Sequence, residues 1–286
     1  MSTTKLGNSP TIQYISDLHL EFSANREFFR LNKLKPSADI LCIAGDLGYL
    51  NKHRRNHIYD RYCDKFIDYV SENWKYVIII PGNHEFYGGY PISNIFHKRN
   101  LKLKDNVHFL ISGEVYLEDP SWDCIVHVLG GTLWSHINPL EYKSVFNRMN
   151  DYNYIYYKCY GSEGVKLTPG ISTDLHETTV ENFKLFCKLA YGKEKQGNIK
   201  RIIVTHHAPH FKCLNDKYIS SDVNSAYYTN LEKFIDDFKP NLWVYGHTHD
   251  FKDFNIYNTR IVQNSIGYHT SIESLPKDWD TKTIQL

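Results

Sequence analysis

The sequence predicts an α/β protein built on a largely parallel β core. Short, nearly continuous apolar runs recur along the chain, as expected of strands buried on both faces. Segments with helical apolar spacing lie between them. Each run also ends in a polar tip, the place where α/β folds put ligand-binding groups.

In chain order, the runs occupy residues 12–16, 40–44 and 77–80, then 202–205 and 242–245. They lead into Asp17, Gly45-Asp46, Pro81-Gly82-Asn83-His84, His206 and Gly246-His247. Within 60–74, Cys63, Phe66, Ile67, Val70 and Trp74 follow helical spacing. So do Val180, Phe183, Cys187 and Ala190 in 172–191, with Ser172, Thr173 or Asp174 as candidate caps. A third helix is expected over 226–238, from Tyr227, Leu231, Phe234, Ile235 and Phe238, with Pro240 just past its stop. Strand–helix alternation implies right-handed crossovers and parallel pairing. Residues 107–110, 115–117, 124–129 and 252–264 read as further strands, the last a hairpin with Asn258-Thr259 at its turn. No linker divides the chain, so residues 1–286 are expected to form one domain. The least regular stretch, 134–175, is expected to lie over the site. The tyrosine-rich 152–160 reads as a half-buried strand or loop, with a substrate platform as the alternative.

Composition limits the function. The chain has 286 residues and is 42% hydrophobic, enough for a sizeable core. Its 33 basic and 32 acidic residues leave a net charge of +1, which argues against a partner held by bulk positive charge, such as nucleic acid. Lys33, Lys35, His53, Arg54 and Arg55 make a modest basic patch that reads as a solvated loop. The six cysteines form no C-x-x-C pair and no disulfide framework. There is no secretory h-region and no membrane-length apolar run. A reduced, cytoplasmic setting is expected.

The strand tips carry metal-ligand chemistry. Asp17 and His19 are two apart, so an extended backbone points both the same way. His247 and His249 repeat that spacing, and Asp46, Asn83 and His206 stand at other tips. A lone D-x-H or H-x-H means little; five strand ends bearing oxygen or imidazole donors mean much more. The donors suit Mn, with Fe or Zn as alternatives. No cysteine belongs to the set, which argues against a structural thiolate zinc site. Seven ligands exceed what one tetrahedral ion takes, so two divalent ions are expected, with Asp46 the natural bridge. H-E occurs at 84–85 without the H-E-x-x-H helix of zinc peptidases.

These segments resemble the calcineurin-like metallophosphoesterase superfamily. The matches are Asp17-Leu18-His19, Gly45-Asp46, Gly82-Asn83-His84-Glu85, His206-His207 and Gly246-His247-Thr248-His249. Trp134, Met149-Asn150-Asp151-Tyr152 and Thr205-His206-His207-Ala208-Pro209 are similar to its small, bacterial-type branch. The resemblance implies a four-layer α/β/β/α sandwich of two mixed sheets flanked by helices. It gives Asp17, His19 and His249 to one ion and Asn83, His206 and His247 to the other, with Asp46 shared. His206 is chosen over His207, which would then face the second shell or the substrate.

Such a site would hydrolyse phosphomonoesters or phosphodiesters by attack of a metal-bridging hydroxide. Two divalent ions, two carboxylates and a hydroxide leave about one positive charge, which favours an anionic phosphate. His84 is the candidate acid for the leaving group, against a structural histidine held by Glu85. Tyr87 and Tyr90 would either stack on a nucleotide or pack beneath their loop. Asn150 and Asp151 are candidates to reach the site. The rivals are a nuclease with the same chemistry and, more remotely, a non-catalytic scaffold.

Overall fold

The computed structural model describes residues 8–31, 34–51, 58–160, 163–194, 198–269, 271, 274 and 280–286. Of the basic patch, Lys33, His53, Arg54 and Arg55 lie outside the described residues. The strands are β1 (Thr11–Ile15), β2 (Ile40–Ala44), β3 (Tyr76–Ile80), β4 (Asn100–Lys104), β5 (Val107–Leu110), β6 (Ser112–Leu117) and β7 (Ile125–Gly131). They continue with β8 (Tyr156–Tyr160), β9 (Glu163–Lys166), β10 (Ile199–Thr205), β11 (Leu242–Val244), β12 (Phe251–Ile256), β13 (Thr259–Asn264) and β14 (Lys282–Gln285). The helices are α1 (Ser23–Leu31), α2 (Arg61–Asn73), α3 (Ser93–Phe96), α4 (Tyr142–Arg148), α5 (Asp151–Tyr154), α6 (Pro169–Glu194) and α7 (Glu232–Phe238).

The first sheet has the order β14-β1-β2-β3-β5-β4 and the second β12-β13-β11-β10-β7-β6. Each is four parallel strands with one antiparallel strand at either edge. Period-two alternation splits every central strand between two cores. Ile40, Cys42 and Ala44 of β2 face Val126, Val128, Ile202, Val204, Leu242 and Val244 of the second sheet. Leu41 and Ile43 face Cys63, Phe66, Ile67 and Val70 of α2 instead. Behind the second sheet, Ile203 and Trp243 meet Val180, Phe183 and Cys187 of α6 and Phe234 and Ile235 of α7. The result is a four-layer α/β/β/α sandwich with three apolar layers, each fully buried Ile or Leu contributing about 2 kcal/mol of transfer free energy. All six cysteines are free thiols.

The sheets are also joined at their tips. Ser16 bridges to Ser265, Ile266 N–H donates to Ser16 O, and Gly267 N–H donates to Asp17 O.

Four expectations need correction. Helix α6 begins at Pro169, three residues before its expected caps. Thr168 Oγ1 accepts from Ile171 N–H, and proline at the first helical position has no N–H to satisfy. Ser172, Thr173 and Asp174 therefore lie inside the helix. Helix α7 begins at Glu232, not near 226: Asn224–Ala226 form a short 3-10 turn, and the bridge of Tyr228 to Ala208 then interrupts the helical path. The late hairpin turns at Tyr257-Asn258, one residue early, with Tyr257 at φ +50° and Ile256 opposite Thr259. The stretch 134–175 is more regular than expected: it holds α4, α5 and the β8–β9 hairpin.

Candidate metal centre

Seven donors converge above the strand tips. Asp17 and His19 follow β1, Asp46 follows β2, Asn83 follows β3, His206 follows β10, and His247 and His249 follow β11. Five of them, Asp17, His19, Asp46, His247 and His249, have φ between +47° and +71°. Left-handed backbone is uncommon outside glycine and costs on the order of 1 kcal/mol or more per residue. Its concentration at one spot is a mark of function. Gly45, at φ +85°, supplies the same turn before Asp46.

The donors face inward because hydrogen bonds hold their far sides. His206 Nδ1 donates to Ala44 O at 2.9 Å, which leaves Nε2 at 3.0 Å from Asn83 Oδ1 and 3.3 Å from Asp46 Oδ2. His19 Nδ1 lies 2.9 Å from Glu21 Oε1, and its Nε2 lies 3.2 Å from His249 Nε2 and 3.6 Å from Asp46 Oδ2. Asp17 accepts from His247 N–H at 3.0 Å and from Ser265 Oγ at 2.8 Å, and Asp17 Oδ1 faces His249 Nε2 at 3.3 Å. Asp46 Oδ1 accepts from His84 N–H at 2.8 Å. Asn83 Nδ2 donates to Asp151 Oδ1 at 2.7 Å, which fixes the amide with its oxygen towards His206.

The residues fit divalent cations. Donor atoms of Asp17, His19, Asp46 and His249 all lie within 4.8 Å of one another. His247 Nε2 is buried and has no hydrogen-bond partner, a costly state that a cation would relieve. With His19 Nδ1 bonded to Glu21, the lone pair on its Nε2 points at His249 Nε2, a repulsive pairing unless a proton or cation lies between. Burial pushes the Asp17 and Asp46 carboxyls up, but the surrounding imidazoles outweigh it and hold both well below the usual carboxylate range.

His84 and its neighbours form one wall. Its Nδ1 lies 2.8 Å from Glu21 Oε1, the same oxygen that holds His19. Tyr87 stacks on the His84 ring at 4.2 Å and donates its hydroxyl to Asp151 Oδ1 at 2.6 Å. Burial lowers the His84 pKa, but the charges of Asp46 and Glu21 win and raise it to about 9. Glu85 does not hold His84. It turns away and accepts from Asp46 N–H, Leu47 N–H, Gly82 N–H and the Tyr59 hydroxyl, which braces the loops under the site. His207 is held by the backbone rather than by a carboxylate. Its Nδ1 lies 3.2 Å from Thr132 O, its ring lies 4.2 Å from that of His247, and burial with the nearby His206 lowers its pKa to about 3. Asn150 lines the cleft, and Tyr90 is half-buried against the outer core of the first sheet.

Glu21, Tyr227, Tyr268 and Arg148 were missed in the sequence. Glu21 had only the signal of a carboxylate two residues past His19, because the extended backbone expected at Asp17 and His19 is left-handed instead. The other three had none. Tyr268 sits edge-on to His249 at 4.4 Å, and Tyr227 lies 4.9 Å from His247, both brought there by loops with no motif.

A four-layer sandwich with carboxylate, amide and imidazole donors at its strand tips defines a metal-dependent hydrolase. Residues 10–251 match the family model described as calcineurin-like phosphoesterase, and the chain belongs to that family. It is a phosphoester hydrolase. It is similar to an uncharacterized protein of Acanthamoeba polyphaga mimivirus, 28% identical, with 90% of this chain and 91% of that one covered. Among solved structures it is similar to phosphopantetheinyl hydrolase from Mycobacterium tuberculosis, at TM-score 0.63 and 15% identity, covering 98% of this chain and 97% of that one. A dimetal phosphatase from Danio rerio shares the fold at TM-score 0.53 and 14% identity, covering 98% and 93%.

Proposed function

We propose that the chain hydrolyses phosphoesters with two divalent cations, Mn²⁺ foremost. Asp17, His19 and His249 would hold one, Asn83, His206 and His247 the other, and Asp46 both. The carrying observation is the convergence of these seven donors, five of them on left-handed backbone, with the His247 Nε2 left unpartnered. When bound, such a pair acidifies a water and neutralises the phosphoryl oxygens.

The protein's own contribution centres on His84. Glu21 accepts a hydrogen bond from its Nδ1–H, so the imidazole keeps a fixed tilt and presents Nε2 to the cleft. Tyr87 packs along one face of the ring and prevents it from swinging. An imidazolium so placed can hand its proton to the departing alkoxide or hydrogen-bond a phosphoryl oxygen. Asp151 acts at one remove, holding both Asn83 and Tyr87 in place. The nuclease alternative gains no support: among the described cleft residues the one cation besides the histidines is Arg148, itself paired with Asp222. Among the described residues no helix is long and apolar enough to cross a membrane.

Chelation should abolish turnover and Mn²⁺ restore it, with elemental analysis finding two ions per chain; full activity with one ion defeats the dinuclear reading. His84→Ala should cost about 10²-fold or more on an alkyl ester and less on a nitrophenyl ester, whose leaving group needs no proton. Equal losses on both would remove His84 from the acid role.

A further inference from the structure

Two cavities open from the metal centre, and their chemistry differs. The first, about 430 Å³, is walled by Phe22, Tyr49, Tyr87 and Tyr154 and reaches down to Asp46, Asn83 and His84. The second, about 400 Å³, is lined by a different set, among them Leu214, Tyr218, Ser221 and Val223. They share a boundary of Arg148, Tyr227, His247, His249 and Tyr268. A phosphoryl group seated on the ligands would therefore have space for an organic substituent on either side. A monoester fills only one of these spaces.

The charge pattern narrows the substituents. Apart from the histidines, Arg148 is the one cation among the described residues lining either cavity, and it already pairs with Asp222. Beyond Arg148, neither cavity offers among the described residues the further lysines or arginines that a polyphosphate tail needs for each added charge. The first cavity offers aromatic faces instead. Tyr154 is about half exposed and tilted against Tyr87 at 5.4 Å. The second offers apolar side chains and the half-exposed Tyr218.

We propose that the substrate is a phosphodiester with a single phosphoryl centre and two uncharged organic groups, the one in the first cavity a planar ring. This rests on the hydrolase reading above for the seat of the phosphoryl group. Phe22, Tyr49 and Tyr154 then select the ring, and Tyr218 and Ser221 meet the second substituent.

The test pairs binding with turnover in the Mn²⁺-loaded protein. Diphenylphosphinate and methyl(phenyl)phosphinate are inert anions of equal charge that differ in filling two spaces or one. By calorimetry the diphenyl compound should bind at least about tenfold tighter, the worth of one well-packed ring. Ser221→Trp, a partly exposed position that would plug the second cavity, should erase that advantage. Tyr218→Ala should reduce it. In turnover, bis(nitrophenyl) phosphate should exceed nitrophenyl phosphate in kcat/KM by about tenfold or more. Equal affinity of the two phosphinates, a Ser221→Trp protein that still prefers the diphenyl compound, or preference for the monoester would each overturn the proposal. Absence of turnover on every ester would instead defeat the hydrolase reading, and the phosphinate comparison would still decide whether two substituents are accommodated.

Discussion

A β-carbon on Gly82 would overlap the Asp46 carboxylate and crowd its backbone nitrogen. The close approach exists because Gly82 N–H and Asp46 N–H both donate to Glu85 Oε2, which clamps the two loops together. Gly82→Ala should therefore push the Asn83 loop away from Asp46 while the sandwich stays folded. We expect metal affinity to fall about tenfold or more, as for other changes that misplace a ligand, with an unchanged circular dichroism spectrum. Metal titration of the variant checks this. Glu21 works from the other side, one carboxylate oxygen serving His19 and His84 together. Its carboxyl is pushed up by burial and pulled down further by those two imidazoles, so it stays ionised. Glu21→Gln removes the charge and keeps the shape. At saturating Mn²⁺ its kcat should drop about 10- to 100-fold, and a wild-type kcat would deny Glu21 any positioning role.

At the scale of elements, local chemistry set the boundaries wherever it acted alone. Helix α2 starts where Asp60 accepts from Tyr62 N–H and Cys63 N–H, as a side-chain cap should. Asp60→Ala should cost about 1 kcal/mol in urea unfolding and leave turnover intact, since α2 packs behind the first sheet. The central strands were legible because their apolar runs are unbroken, and the candidate donors because each follows such a run. Helix α7 was misjudged at its start because the 226–231 stretch is apolar at helical spacing, yet Tyr228 pairs with Ala208, a partner twenty residues upstream. The same contact aims Tyr227 at His247. Tyr268 reaches the site from a loop after β13, and Arg148 from the end of α4. Nothing in their own neighbourhood of sequence encodes where those elements dock. The candidate donors were therefore readable and the walls of the cleft were not.

The molecule as a whole has buried histidines besides those of the candidate metal centre. His176 on α6 is 4% exposed, with Nδ1 at 3.2 Å from Leu133 O, and burial lowers its pKa to about 4. An unfolded histidine titrates near 6.5, so between those values the unfolded chain binds the proton and the folded chain does not. This contribution is present above about pH 6.5 and is lost as pH falls towards 4. Guanidinium unfolding in the presence of a chelator should show lower stability at pH 5 than at pH 7.5. His176→Gln should lose less over that interval than the parent, and an equal loss would assign the acid sensitivity to other groups such as His207.

The bonds between the two sheets at their tips give the fold a property of its own. Asp17, Asp46 and Asn83 ride on one sheet, His206, His247 and His249 on the other, and Ser16, Ser265 and Ile266 lace the rims together. Any slip of one sheet over the other by a fraction of an ångström would pull the two halves of the candidate donor set out of alignment, long before the apolar layer between them was breached. Turnover thus serves as a vernier on sheet alignment. In a library of substitutions at Cys42, Val128 or Val204, variants that melt normally and yet turn over slowly are the ones in which the leaves have shifted.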